Sequence, residues 1–404
     1  MLALGVMTAI GGFVDIGNLV TSGVTGARFN MSLAWGVLVG TLGMSVYAEM
    51  AGRVAAIAHR PVFHVVRERL GVRFGLLNLV AACVLSALTL SAEIGGVALS
   101  LELASDVNYL LWVPLVALAV WGVTWRMKFQ HMERIFGLMG LALVVFLVAM
   151  FFLPTDWNAL LHSAVRPALP ANESLSTYLF YAVSLIGACI VPYQVIFFSA
   201  GGLEEGWTAR SMREMRLNVL FGFPLGGLLT LGIMAASAVV LLPLQVNVSH
   251  LGQVGLPVAV AFGKVGLAFA LVGFFAATFA AAAETTLSTG YSIGQYFGWS
   301  WGKWLRPAQA PRFHVVCLAT LLLGTAFVLT TVDPIRVTIV SVVLGAAAIP
   351  LTYLPILVTA NDRDYLGDRV NGWFANTLGV GVLIIMVAVS LVTLPLLFLT
   401  KAGQ

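Results

Sequence analysis

The dominant pattern along the chain is a succession of apolar runs, each about 20 residues long and separated by short polar segments. The runs fall at approximately 2–24, 32–55, 75–100, 108–125, 134–153, 176–199, 217–243, 262–290, 314–331, 335–358 and 373–399. They are continuous and lack the strict apolar–polar alternation of barrel strands, so each predicts a helix. In hydrocarbon every backbone N–H and C=O must be paired internally, which a helix achieves within its own segment. Eleven such runs predict an all-α polytopic membrane protein without an inserted soluble domain. The first run leads straight into further membrane sequence, so it is expected to be a span rather than a cleaved leader.

Composition supports a membrane protein. Of 404 residues, 60% are hydrophobic and 9% charged, against about a quarter charged in soluble domains. The placement of lysine and arginine predicts orientation. With the N-terminus in the cytoplasm, the inner loops carry Arg53, Arg60, Arg67, Arg69 and Arg73; Arg126, Lys128 and Arg134; Arg210, Arg213 and Arg216; Lys303, Arg306 and Arg312; and Arg363 and Arg369. Arg28, Arg166, Lys264, Arg336 and Lys401 remain outside, and so does the C-terminus at Gln404. A cell (plasma or inner) membrane location is expected. The basic residues are scattered over five loops, which argues against a nucleic-acid surface. Cys83, Cys189 and Cys317 lie in apolar runs and are expected to pack rather than pair. His59, His64, His131, His162, His250 and His314 fall in or beside loops, which disfavours an intramembrane histidine relay.

Several acids fall at membrane depth. Asp15, Glu93 and Glu284 lie inside runs, and Glu49 lies near the inner end of the second. An ionisable group there costs several kcal/mol unless it faces a cavity or a partner, so each is a candidate for function or for holding helices together. Asp15 belongs to a segment that reads Gly11-Gly12-Phe13-Val14-Asp15-Ile16-Gly17-Asn18. Glycine and asparagine are poor helix formers, so this span is expected to unwind around Gly17 and turn Asp15 and Asn18 into a cavity. The sixth span reads Gly187-Ala188-Cys189-Ile190-Val191-Pro192-Tyr193. Pro192 has no N–H and clashes with the carbonyl four residues earlier, freeing the Ala188 carbonyl for a ligand.

Spans one and six thus break near mid-membrane, five spans apart. That spacing points to a five-plus-five inverted repeat of the LeuT type, with its site at the repeat interface. The expected organisation is one transmembrane domain over 1–404, with repeats at 1–153 and 176–358 and an additional helix at 373–399. A carboxylate, an amide oxygen and a backbone carbonyl are hard donors suited to a hard divalent cation.

These segments resemble the Nramp family of divalent metal transporters. Asp15-Ile16-Gly17-Asn18 is similar to that family's Asp-Pro-Gly-Asn motif, and Ala188 to Tyr193 to its Ala-x-x-Met-Pro-His motif. Ser91-Ala92-Glu93-Ile94-Gly95, Arg126 to Glu133, Gly294-Gln295-Tyr296 and Leu366-Gly367 to Asn371 also resemble family sequence. The resemblance covers essentially the whole chain. It implies eleven spans, an inward N-terminus and metal binding by Asp15, Asn18 and the Ala188 carbonyl.

The departures bear on the substrate. Val191 stands where the family has methionine, the soft ligand that favours manganese and iron. Tyr193 stands for histidine and Leu90 for an aspartate, both parts of the family's proton pathway. Val342 replaces a glutamine and Ile16 a proline. The pattern is similar to the Nramp-related magnesium transporters, which implies a partly hydrated magnesium ion and no proton coupling. Glu93, Tyr193 and Val342 are the candidates for coupling or for supporting the site.

The expected function is entry of magnesium and/or manganese by alternating access, the cation being substrate and no cofactor being needed. The expected partners are that ion and the lipid bilayer. A proton-coupled manganese or iron symporter of the same family is the alternative. An amino-acid or organic-solute carrier of this fold would bring a carboxylate against Asp15, which repels it unless an amine or sodium ion intervenes. A membrane sensor would carry a soluble domain or long tail. No intramembrane histidine cluster, His-Glu-x-x-His pattern or nucleophile elbow points to an enzyme.

Overall fold

The structure is a computed structural model that describes residues 13–401 except 172, 331 and 332, with the side chains of 129, 130 and 133 also undescribed. Regular structure among these residues is helical: α1 (Ile16–Phe29), α2 (Ala34–Ala58), α3 (Val62–Leu70), α4 (Val72–Ser105), α5 (Tyr109–Arg126), α6 (Phe129–Gly140), α7 (Val144–Ala149), α8 (Trp157–Val165), α9 (Leu175–Cys189), α10 (Pro192–Glu204), α11 (Met212–Val240), α12 (Leu251–Phe297), α13 (Pro311–Leu329), α14 (Pro334–Ala360), α15 (Arg363–Leu366) and α16 (Trp373–Leu399). All eleven expected spans map onto these elements, although most of the first span, residues 2–12, lies outside the described residues.

Several boundaries differ from expectation. The third span is longer than 75–100, because α4 runs to Ser105. The expected helix at 134–153 is two helices, α6 and α7, joined by a tight 3-10 turn at Leu141–Leu143. The eighth span begins at a kink where Gly263 takes φ +63°, and the helix before it, from Leu251, is a separate arm. α3, α8 and α15 add short helices in the connections between spans.

Two packed cores hold the bundle together. One joins α1, α2, α9, α11 and α14; the other joins α4, α5, α12 and α13. Apolar side chains such as Leu111, Leu323 and Leu391 remain exposed on the outside, at 68%, 65% and 71%, where lipid rather than water covers them. α1 and α11 approach closely enough that a Cβ on Gly26 would lie 2.1 Å from the Met234 carbonyl oxygen.

All five basic loops lie at one end of the bundle. Arg67 donates to the Tyr296 carbonyl, Arg53 to Asn371 and to the Arg369 carbonyl, and Arg69 pairs with Asp362 and Asp364. Arg216 pairs with Glu49 at 3.0 Å, and Lys303 Nζ lies 3.4 Å from Met132 Sδ. Glu68 joins Arg60, His64 and Tyr365. The Tyr365 hydroxyl, with His64 and Arg60 beside it, holds the Glu68 carboxyl below its ordinary range, so this junction is charged at neutral pH. At the opposite end Arg28 pairs with Glu173 at 2.7 Å and lies over the Tyr181 ring.

Candidate metal site

Both expected helix breaks are present, and they face each other. The first falls at Val14–Asp15, where Asp15 is extended (φ −107°, ψ −177°) and α1 begins at the next residue. Gly17 is therefore not the break, as the sequence led us to expect. It sits in the first turn of α1, where a Cβ would meet Val342 Cγ2 at 2.7 Å. Its role is to admit α14, and the break comes from Asp15 acting as N-cap. Asp15 Oδ1 accepts the Asn18 backbone N–H at 2.8 Å, which satisfies one of the free donors at a helix start. The second break lies at Ile190–Val191, between α9 and α10. Pro192 occupies the first position of α10, where its missing N–H costs nothing.

A cavity of ≈ 30 Å³ lies between the two breaks, α4 and α14. That is room for one or two water-sized occupants. Asp15, Glu93, Ala188, Val191, Tyr193 and Val342 line it. Asn18 stands behind this wall, fully buried, and its amide donates to the Phe13 and Ala188 carbonyls, 2.8 Å each. The Ala188 carbonyl expected to be free for a ligand thus already accepts one hydrogen bond. A carbonyl oxygen has two lone pairs, so one remains for a cation.

The carboxylates surround the start of α1. Glu93 accepts the Ile16 N–H on both oxygens, at 3.3 and 3.4 Å. Glu284, on α12, is also buried. The Tyr193 hydroxyl lies 3.5 Å from Asp15 Oδ2, and the Tyr193 carbonyl accepts from Ser288 at 2.9 Å. Leu90 is fully buried and packs against Gly324 of α13, whose Cβ would lie 3.0 Å from Leu90 Cγ. Glu49 is separate from the site, being shared between Arg53 and Arg216 at the basic end.

Four lining hydroxyls were missed from the sequence: Ser86 and Thr89 on α4, and Thr338 and Ser341 on α14. Thr89 and Ser341 meet across the cavity at 3.0 Å. Their signal was readable, because Ser86, Thr89 and Glu93 recur at the three- and four-residue spacing of one helix face. Among the described lining residues none carries sulfur or imidazole. The wall offers carboxylate, carbonyl and hydroxyl oxygens, suited to a small hard cation that keeps part of its water shell.

The family described as "Nramp: Natural resistance-associated macrophage protein-like" matches residues 5–395. The chain is 22% identical over 399 residues to the divalent metal cation transporter MntH of Acidiphilium cryptum, covering 96% of this chain and 88% of that one. It is 23% identical over 388 residues to the protein of the same description from Pectobacterium carotovorum, covering 94% and 90%. In structure it resembles the Eremococcus coleocola manganese transporter, with a TM-score of 0.70, 19% identity and coverage of 97% and 85%. A sodium-coupled sialic acid symporter shares the fold more distantly, at a TM-score of 0.51, 14% identity and coverage of 97% and 94%.

Proposed function

The chain belongs to the Nramp family and is a multi-pass divalent metal cation transporter rather than an enzyme, and from that premise we propose that it carries magnesium and manganese into the cell without stoichiometric proton movement. One observation carries the choice of ion: the polar side chains that line the cavity at the paired breaks are oxygen donors, with Val191 where a soft ligand would stand. Asp15 supplies the charge, the Ala188 carbonyl a direct ligand, and Asn18 a second once its amide turns. The hydroxyls of Ser86, Thr89 and Ser341 receive the ion's remaining waters. We further propose that residues 1–153 and 176–358 are the repeats that rock about this site, and that the basic end faces the cytoplasm of a plasma or inner membrane, with the C-terminus outside.

Uncoupled entry is supported by Leu90, a buried hydrocarbon side chain three residues before Glu93 on α4, at the position where the family resemblance implies a titratable aspartate. The driving force is then the ion gradient together with the membrane potential acting on the cation's two charges. The second reading, a proton-coupled manganese symporter, is favoured by one contact. Glu93 touches the N–H of Ile16 next to Asp15, so a proton arriving there would be felt at the break.

Flux into proteoliposomes carrying an internal pH dye separates the two. Magnesium and manganese are expected to enter, and the lumen is not expected to acidify in proportion to metal uptake. A fixed ratio of protons to metal would overturn the uncoupled reading. A separate outcome, exclusion of magnesium with ready uptake of cadmium, would overturn the hard-ion reading.

Val191→Met restores a thioether at the cavity wall. It is expected to move the preference toward manganese and cadmium over magnesium by about threefold to tenfold, a gain of up to about 1.4 kcal/mol. Competition uptake in the same vesicles measures the shift, and an unchanged ratio would show that position 191 does not face the ion.

A further inference from the structure

A groove of ≈ 660 Å³ runs down the outside of the bundle between α2 and α11, far from the metal site. Its two walls are helix faces in strict register. On α2, Leu38, Leu42 and Glu49 recur at four- and seven-residue spacing; on α11, Arg216, Leu220 and Leu228 recur at four- and eight-residue spacing, running in the opposite direction. The walls are apolar over most of their length, and Leu38 and Leu220 are about 60% exposed. Both stripes become charged at the basic end, at Glu49 and Arg216. From Leu38 to Glu49 is about 16 Å at 1.5 Å per residue, about half a bilayer's hydrocarbon thickness.

We propose that this groove binds one anionic phospholipid from the leaflet that meets the basic end, with an acyl chain between Leu42 and Leu220 and the phosphate on Arg216 and Arg213. Charge complementarity selects this occupant. Glu49 and Arg216 pair at the mouth, and the buried Arg53 behind Glu49 and the exposed Arg213 outweigh the exposed Glu214, which leaves the mouth one positive charge in excess. The Arg216 side chain is 57% exposed, and Arg213, one turn nearer the end of α11, is also exposed. A guanidinium has five donors, so Arg216 can hold Glu49 and a phosphate together. Phe374 lines the groove as well and is 72% exposed. A second copy of the chain fits less well. A two-fold interface places the same patch on both sides, which here would set one concave groove against another and leave a void between them.

Native mass spectrometry of the full-length protein in detergent, titrated with phosphatidylglycerol or with phosphatidylcholine of the same chains, tests this. Phosphatidylglycerol is expected to bind about tenfold more tightly. R213Q/R216Q should erase that preference, and L42W, which fills the groove, should weaken both lipids. If L42W fails to fold, L38W takes its place, since Leu38 is 60% exposed. Equal binding of the two lipids by the wild type overturns the proposal, as does a preference that survives R213Q/R216Q. A dimer that persists without lipid and is lost in L42W overturns it in favour of a second copy. Cation uptake in phosphatidylcholine vesicles should be retained by L42W, so failure of the lipid site and failure of the transport reading are distinguishable.

Discussion

Asp15→Asn is expected to lower divalent-cation uptake by about a hundredfold or more while the purified protein stays folded, a loss of about 2.7 kcal/mol of cation stabilisation. The replacement separates two jobs that one residue performs. Asp15 caps α1 by accepting the Asn18 N–H, and asparagine caps a helix about as well as aspartate. The charge is what the substitution removes, in a site where water cannot stand in for it. Asp15→Ala loses both jobs and should add a stability cost of about 1 kcal/mol. Uptake by vesicles, read beside a gel-filtration profile, checks the prediction. Near-normal flux through Asp15→Asn would move the cation site elsewhere.

The second large effect is on assembly. Gly26→Ala should destabilise the protein by about 1–3 kcal/mol, seen as a lower melting temperature in detergent. The added methyl would meet the Met234 carbonyl oxygen at 2.1 Å. A backbone atom cannot rotate away as a side chain can, so α1 and α11 must part along their length. Because α1 also carries Asp15, uptake should fall as well. Gly122 of α5 provides the control, since a Cβ there meets nothing within 4 Å. Gly122→Ala is expected to be neutral or to stabilise slightly, by about 0.5 kcal/mol or a little more. Equal melting temperatures for the two variants would show that the α1–α11 contact is looser than this geometry.

The spans were legible because a bilayer imposes length and continuity on every helix that crosses it, whatever else the helix does. The chemistry of the site was legible where it needed unusual residues, as at Asp15 and Pro192. It was misplaced where two explanations shared a location: Gly17 stands beside the break, but Asp15 makes it. The hydroxyls of Thr89 and Ser341 escaped notice because serine and threonine in an apolar helix usually bond back to their own carbonyls, as Thr21 does to Gly17. The 3-10 turn at Leu141–Leu143 went unread, since its leucines and alanine are good helix formers and its local signal is confined to Gly137 and Gly140 just before it. Contacts such as Arg53 with Asn371 join residues 318 apart in sequence, and no local pattern reports them.

α10 reaches from Val191 at the cavity to Glu204 at the basic end, and its far end is fastened. Glu204 accepts the Tyr291 hydroxyl at 2.8 Å and the Lys303 N–H at 2.5 Å, which ties it to α12 and to the loop that follows. Thirteen residues make a rod about 20 Å long. The cavity end is tied to α12 through Ser288, which donates to the Tyr193 carbonyl, so with the doubly bonded Glu204 end as fulcrum it is the cavity end that travels further. Tilting α10 by about 5° carries the cavity end sideways by about 1.7 Å, several times the roughly 0.3–0.5 Å between a magnesium–oxygen and a calcium–oxygen bond. A small angular change at the surface would therefore be sufficient to make or unmake the grip on an ion at the proposed site, without unwinding any helix.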